Sequence, residues 1–261
     1  MFFYFYQSKS LKQDFDYIEL VDILLHEYLD HFNGNFMNID DIYPSLSDLK
    51  KRAKSRLPFF AWEYLDSATG VEDQKNRNRE ELNKILFETR ILKGEYVPNQ
   101  KTTFLGKTYS HPFGVAPVGM SGMIWPGAEY ILARGCAKAK IPYCLSAVAT
   151  VTPEMISSSI GDMGWMQLYP PTDADVRRDM LLRAKNAGFH TLVLTVDVPA
   201  PSRRERQRRA QLTIPPKITP KMLWETATHP SWALGTAKYG QPRLRFAESY
   251  VKVKGNTSST A

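Results

Sequence analysis

The 261-residue sequence predicts an α/β fold with parallel strands. Four short apolar runs carry that prediction, at 113–118, 141–146, 164–169 and 190–197. Successive runs are separated by segments with helical periodicity and capping residues, and strands joined through a helix pair in parallel with right-handed crossovers. Two architectures satisfy this pattern, a doubly wound sheet or part of a (β/α)8 barrel. Neither GxGxxG nor GxxxxGK[ST] follows any of the runs, so both nucleotide-binding signatures are missing. Apolar residues make up 43% and charged residues 23% of the chain, ordinary globular values that argue against disorder over most of its length.

Taken in order, residues 1–36 read as a helical appendage. Leu11, Phe15, Ile18, Val21, Leu25, Tyr28, Leu29 and Phe32 recur at three- to four-residue spacing, and the stripe stops near Asn33-Gly34. Its Asp and Glu content makes it acidic, unlike a basic membrane-surface helix. Met37 is an alternative start. The opening MFFYFYQSKS lacks the basic n-region of a signal peptide, and no 18-residue apolar run suits a membrane span. Ser45-Leu46-Ser47-Asp48 forms a capping box for a helix over about 46–55, and Pro58 at N1 opens another. Residues 67–110 are mixed and charged, with a short hairpin in TTFLGKTYSHP.

Within the repeat, 127–140 is helical, Thr152-Pro153-Glu154 opens a short helix, and Thr172-Asp173 caps a helix over 174–187 closed by Gly188. Cys136 and Cys144 are the only cysteines and form no CxxC pair, so they read as small core residues of a cytosolic protein. The formal charge of +7 is concentrated in Arg203–Arg209, RRERQRR, with a smaller cluster, KKRAKSR, at 50–56. Such a heptamer suits either phosphates or a solvated, mobile loop. No zinc finger, RNP-like aromatic motif or helix-turn-helix pattern accompanies it, so nucleic acid is not an expected partner.

In barrels the chemistry sits where strands end. The four ends are Ala116–Gly119, Ser146–Thr150, Gln167–Tyr169 and Thr195–Asp197, all small or polar. Around them the segments LPFFAWEYLDSATG, LFETRIL, PFGVAPVGMSGM, GAEYILAR, LSAVAT, MQLYP, AGFHTLVLTVDVP and SRRERQRR follow one another across about 40–215. In content, order and spacing they resemble the FMN-dependent α-hydroxy-acid oxidase/dehydrogenase family, a (β/α)8 TIM-barrel family. THPSW at 228–232 and the following GQP resemble its bacterial L-lactate dehydrogenase branch more than its glycolate oxidase branch.

The resemblance implies FMN as cofactor and oxidation of L-lactate or a related L-2-hydroxy acid to the 2-oxo acid. Electrons then pass to a quinone, another carrier or oxygen. It matches Pro117, Val118 and Gly119 to the turn whose backbone meets the flavin, and Ser146, Gln167 and Thr195 to hydrogen-bonding partners of the ring. Tyr64, Tyr169 and Arg204 match the groups that hold the substrate carboxylate and hydroxyl. Asp197 matches the carboxylate that pairs with the catalytic His, and no metal is implied. The chemistry suits these residue types. Neutral hydrogen-bonding side chains tune a flavin ring, a guanidinium with phenols fixes a carboxylate, and a carboxylate beside imidazole favours its protonated form.

The same resemblance carries an expectation of incompleteness. Eight strands make the barrel, four are present, and 64 residues follow Asp197 without the SNHGGRQ-type His/Arg pair or a Gly-rich phosphate cradle. The five histidines, His26, His31, His111, His190 and His229, do not replace that base; His190 begins its strand, about 20 Å from Asp197 at strand rise. The expected organisation is a helical appendage at 1–36, the first half of an FMN-dependent barrel at 37–215, and a loop with a disordered tail at 216–261. A non-catalytic fragment is the alternative to an active dehydrogenase. An open half barrel should expose Val115, Leu145, Met166 and Leu194 on its inner face and self-associate. The expected location is the cytoplasm, or the inner face of the membrane as a peripheral protein.

Overall fold

The computed structural model describes residues 39–196, 202–212 and 219–251; the expected appendage at 1–36 and Asp197 lie outside them. The parallel repeat is present, with one strand fewer than expected. β3 (Tyr143–Ser146), β4 (Gly164–Leu168) and β5 (Thr191–Leu194) form a parallel sheet in the order β3-β4-β5, with Leu145 beside Met166 and Leu168 beside Leu194. The first apolar run, 113–118, makes only a parallel bridge from Val115 to Tyr143. Val115 N–H donates to Pro142 O at 2.9 Å and Cys144 N–H to Val115 O at 3.0 Å. Pro112 just before the run and Pro117 within it have no N–H to donate, which limits its ladder. Ahead of the sheet, β1 (Thr102–Phe104) and β2 (Lys107–Tyr109) form the anticipated hairpin, turned by Leu105-Gly106.

Helices cover one face of the sheet. Short α5 (Ser121–Ile124) is followed by α6 (Ala128–Ala139), α7 (Pro153–Ile160) and α8 (Ala174–Asn186), the last capped by Asp173 onto the Asp175 and Val176 amides. Val115, Leu145 and Met166 pack there with Ala133, Cys136, Ile156 and Met180 in one buried cluster. This corrects the expected inner face. Side chains alternate along a strand, so these three and Leu194 belong to the helix side. Of the four only Leu194 is exposed, at 53%. The opposite face carries Cys144, Ser146, Trp165, Gln167, Val193 and Thr195. There the hairpin packs on Trp165, which Phe104 stacks against at 5.8 Å and whose indole N–H donates to Tyr109 Oη at 3.0 Å. A cavity of about 420 Å³ lies between the hairpin, the 112–117 segment and this face. Both cysteines are buried, and desolvation pushes their thiols up to about 12.

A second cluster forms around the earlier helices. α1 (Ile39–Ile42) precedes α2 (Leu46–Arg56), whose Ser45 cap accepts from the Asp48 amide; α3 spans Phe59–Asp66, with Pro58 at the N-cap position rather than N1. α4 (Asp73–Asn83), unanticipated in a charged stretch, has no buried residue. The RRERQRR segment is not a loop throughout, because α9 spans Glu205–Arg209. The region expected as loop and tail from 216 also contains helices: α10 (Pro220–Ala227), α11 (Pro230–Tyr239) and α12 (Arg245–Val251). Pro220 and Pro230 stand at helix starts, with the Thr219 side chain capping α10. Trp232 of α11 is buried edge-on to Phe60 and donates to the Met123 and Ile124 carbonyls at 3.1 and 3.2 Å. Residues 252–261 of the expected tail lie outside the described residues. No helix among the described residues is long and apolar enough to cross a membrane.

Candidate functional site

The C-terminal strand ends converge on Gln167. At the end of β4 it is 2% exposed, so its amide must find partners within the protein. Its Oε1 accepts from Ser146 Oγ at 3.1 Å and from the Ala147 N–H at 3.2 Å, while its Nε2 donates to Thr195 Oγ1 at 2.8 Å. The result is one hydrogen-bonded line across β3, β4 and the residue after β5. Ser146 Oγ also accepts from the Val148 N–H at 3.3 Å.

The 116–120 turn lies against the loop after β3. Met120 N–H donates to Val148 O at 2.8 Å. A Cβ on Gly119 would stand 2.8 Å from Val148 Cγ2, so glycine is what permits that approach. Tyr64 of α3 donates its hydroxyl to Gly119 O at 3.0 Å. Ala116 and Pro117 are exposed, Val118 and Gly119 half-buried.

Tyr64, Tyr169 and Arg204 share one neighbourhood. Burial pushes the Tyr64 phenol up, the Arg204 guanidinium opposes that shift, and Tyr169 adds to it. Tyr169 and Arg204 are exposed, and Arg204 takes a left-handed φ of 46° at the start of α9, with Nε donating to Ser202 Oγ at 3.2 Å. Asp197 lies outside the described residues. The three described histidines are engaged elsewhere. His111 stacks on Phe113, His190 precedes β5 and meets Asp162 O at 3.1 Å, and His229 Nδ1 lies 2.7 Å from Glu225 O at the start of α11. The large cavity is lined by Cys144, Trp165 and Val193, one inward-facing layer below Ser146, Gln167 and Thr195.

The heptamer conceals an ion cluster that its composition did not reveal. Arg206 donates to both Glu63 oxygens at 2.7 Å, to Asp66 at 3.3 Å and to Glu72 at 2.8 Å. It joins the segment carrying Arg204 to α3, which carries Tyr64. The sequence signal was the E-x-x-D spacing of Glu63 and Asp66, which puts both carboxylates on one helix face.

This donor set fits the edge of a flavin ring. Gln167 Nε2 has a second hydrogen beyond the one given to Thr195, and Thr195, an acceptor in that bond, keeps its own hydroxyl hydrogen. The exposed Ala116-Pro117 backbone and Tyr169 leave the same end of the sheet accessible.

Comparison with known proteins bears on the family. Residues 53–260 match the family described as FMN-dependent dehydrogenase. The chain is 34% identical to L-lactate dehydrogenase of Pseudomonas syringae pv. syringae (strain B728a) over 201 residues, 77% of this chain and 53% of that protein. It is also 34% identical to L-lactate dehydrogenase of Xanthobacter autotrophicus over 214 residues, 82% of this chain and 55% of that protein. The crystal structure of the monotopic membrane protein (S)-mandelate dehydrogenase is similar with a TM-score of 0.71 and 27% identity, over 80% of this chain and 58% of that one. The chain thus spans about half the length of the curated relatives it matches.

Proposed function

The chain belongs to the FMN-dependent dehydrogenase family, and on that premise we propose that its strand ends form the flavin-ring and substrate-carboxylate part of a site for oxidising L-lactate or a related L-2-hydroxy acid to the 2-oxo acid. The Ser146–Gln167–Thr195 line carries this reading. Bound flavin supplies a two-electron acceptor. The protein's own groups position the reactants. Gln167 and Thr195 direct N–H and O–H hydrogens at the ring edge, and the Pro117-Val118-Gly119 backbone lies along it. Arg204 holds the acid's carboxylate, with the Tyr169 and Tyr64 hydroxyls fixing the substrate's orientation. Asp197 is the carboxylate partner of an imidazole base, a role that none of the three described histidines is placed to fill. The electron acceptor is a quinone, another carrier or oxygen. Peripheral attachment at the inner face of a membrane is part of the proposal, supported by likeness to a protein described as monotopic.

A second reading, a chain that holds flavin and acid without turnover, is favoured by the placement of His111, His190 and His229 away from the strand ends. Titrating the chain with FMN and following flavin fluorescence tests both readings; absence of micromolar binding would sink them together. Anaerobic addition of L-lactate then separates them. Rapid bleaching of the flavin band supports the dehydrogenase, and an unchanged oxidised spectrum supports the non-catalytic reading, since general-base catalysis contributes about 10²–10⁴-fold.

A further inference from the structure

Glu129 has no part in the site described so far, yet it is fully buried in the first turn of α6. One of its oxygens, Oε1, gathers three donors: the Gly122 N–H at 3.0 Å, the Thr150 N–H at 2.9 Å and the Thr150 hydroxyl at 2.7 Å. These donors belong to different segments. Gly122 lies in α5, directly after the turn that presents Pro117–Gly119, and Thr150 closes the loop that begins at Ser146. We propose that Glu129 is a positioning residue that clamps these two loops at the spacing needed to receive the flavin ring; this rests on the flavin-site reading above.

Two independent observations support the clamp. Gly122 has no room for a side chain, because a Cβ there would lie 2.0 Å from Thr150 Oγ1 and 2.9 Å from Glu129 Oε2. The loops are also joined at a second point by the Met120 N–H to Val148 O bond. A carboxylate oxygen accepts several hydrogen bonds at once, whereas an aliphatic residue at 129 would strand three buried donors, each with its own desolvation cost. The second oxygen, Oε2, is buried without a hydrogen-bond partner, so the side chain's hydrogen bonds all run through Oε1.

The test compares Glu129→Ala, Glu129→Gln and a core truncation in α8, Met180→Ala. Amide hydrogen exchange at Gly122 and Thr150 is read alongside FMN affinity. Glu129→Ala is expected to speed exchange at both amides and weaken FMN about tenfold, the equivalent of about 1.4 kcal/mol. Glu129→Gln keeps an acceptor oxygen and should restore both. Met180→Ala should lower the melting temperature while leaving both amides and FMN affinity near wild type. Exchange at Gly122 and Thr150 that is no faster in Glu129→Ala than in Met180→Ala overturns the clamp, as does failure of Gln to rescue. If Glu129→Ala does not fold, Thr150→Val removes one donor alone and must speed exchange at Gly122. A wild-type chain that binds no FMN sinks the flavin-site reading instead, while exchange still decides whether Glu129 holds the loops.

Discussion

At residue scale, the site depends on side chains with no freedom to choose other partners. Gln167 is the clearest, because both ends of its amide are committed. Gln167→Leu keeps the approximate volume but strands Ser146 Oγ and the Ala147 N–H. It should cost roughly 1–3 kcal/mol in urea unfolding and reduce FMN quenching; wild-type flavin affinity in that variant would contradict its proposed role. Tyr64 makes a subtler case. Burial raises its phenol above the ordinary value, so it remains a neutral donor to Gly119 O through the physiological range. Tyr64→Phe should cost about 1 kcal/mol and weaken flavin and acid binding, with no change in sheet content by circular dichroism.

At the scale of elements, α9 is docked on α3 by charge. Glu63 is 7% exposed, and Arg206 is its bidentate partner. Arg206→Met leaves that carboxylate buried and unpaired. The expected loss is at the low end of the roughly 3–5 kcal/mol seen for broken buried pairs, since the guanidinium is partly exposed. The same cluster imposes a pH dependence. A hydrogen bond from the Ala68 N–H, then Arg206 and Lys75, hold Glu72 at about 2 against an ordinary 4.5. Glu154 is also held at about 2: burial opposes its ionisation most strongly of any single effect, but hydrogen bonds from Arg183, Thr152 and its own backbone, with the Arg183 charge, together outweigh that. Both carboxylates are favoured in their ionised form by the folded state. Their stabilisation is complete above pH 4.5 and is lost as pH falls toward 2. Melting temperatures recorded from pH 7 down to pH 2.5 should fall mainly below pH 4.5, and Arg206→Met should flatten part of that fall.

For the whole molecule, the outer edge of the sheet is the open question of assembly. Leu192, Leu194 and Val196 are 46%, 53% and 81% exposed along β5 and the residues after it, while the opposite face borders the 420 Å³ cavity. Exposed parallel edges with apolar side chains are rarely left bare, and each such side chain gains roughly 1.5–3 kcal/mol on full burial. The chain is therefore expected to self-associate at low micromolar concentration in sedimentation velocity, and Leu194→Lys should shift it toward monomer. A single monomeric species across the concentration range would show that this edge is tolerated in water.

The succession α6-β3-α7-β4-α8-β5, the caps at Ser45 and Asp173, the hairpin and the polar strand ends were legible in the sequence, because each depends on local periodicity or on a side chain bonding its own backbone. The family was legible for a related reason: short motifs in fixed order survive where the whole chain diverges. Only the tertiary structure decided which face of the sheet is which. Val115, Leu145 and Met166 alternate with inward-facing residues whichever way the sheet is covered, and it is the packing of α6, α7 and α8 that chose. It also decided that 113–118 makes one bridge rather than a strand, and that Pro220 and Pro230 begin helices rather than mark loops. Arg206 and Glu129 were invisible for the same reason. Their partners lie far away in sequence, at Glu63 for the first and at Thr150 for the second, and only folding brings those charges and donors within hydrogen-bond reach.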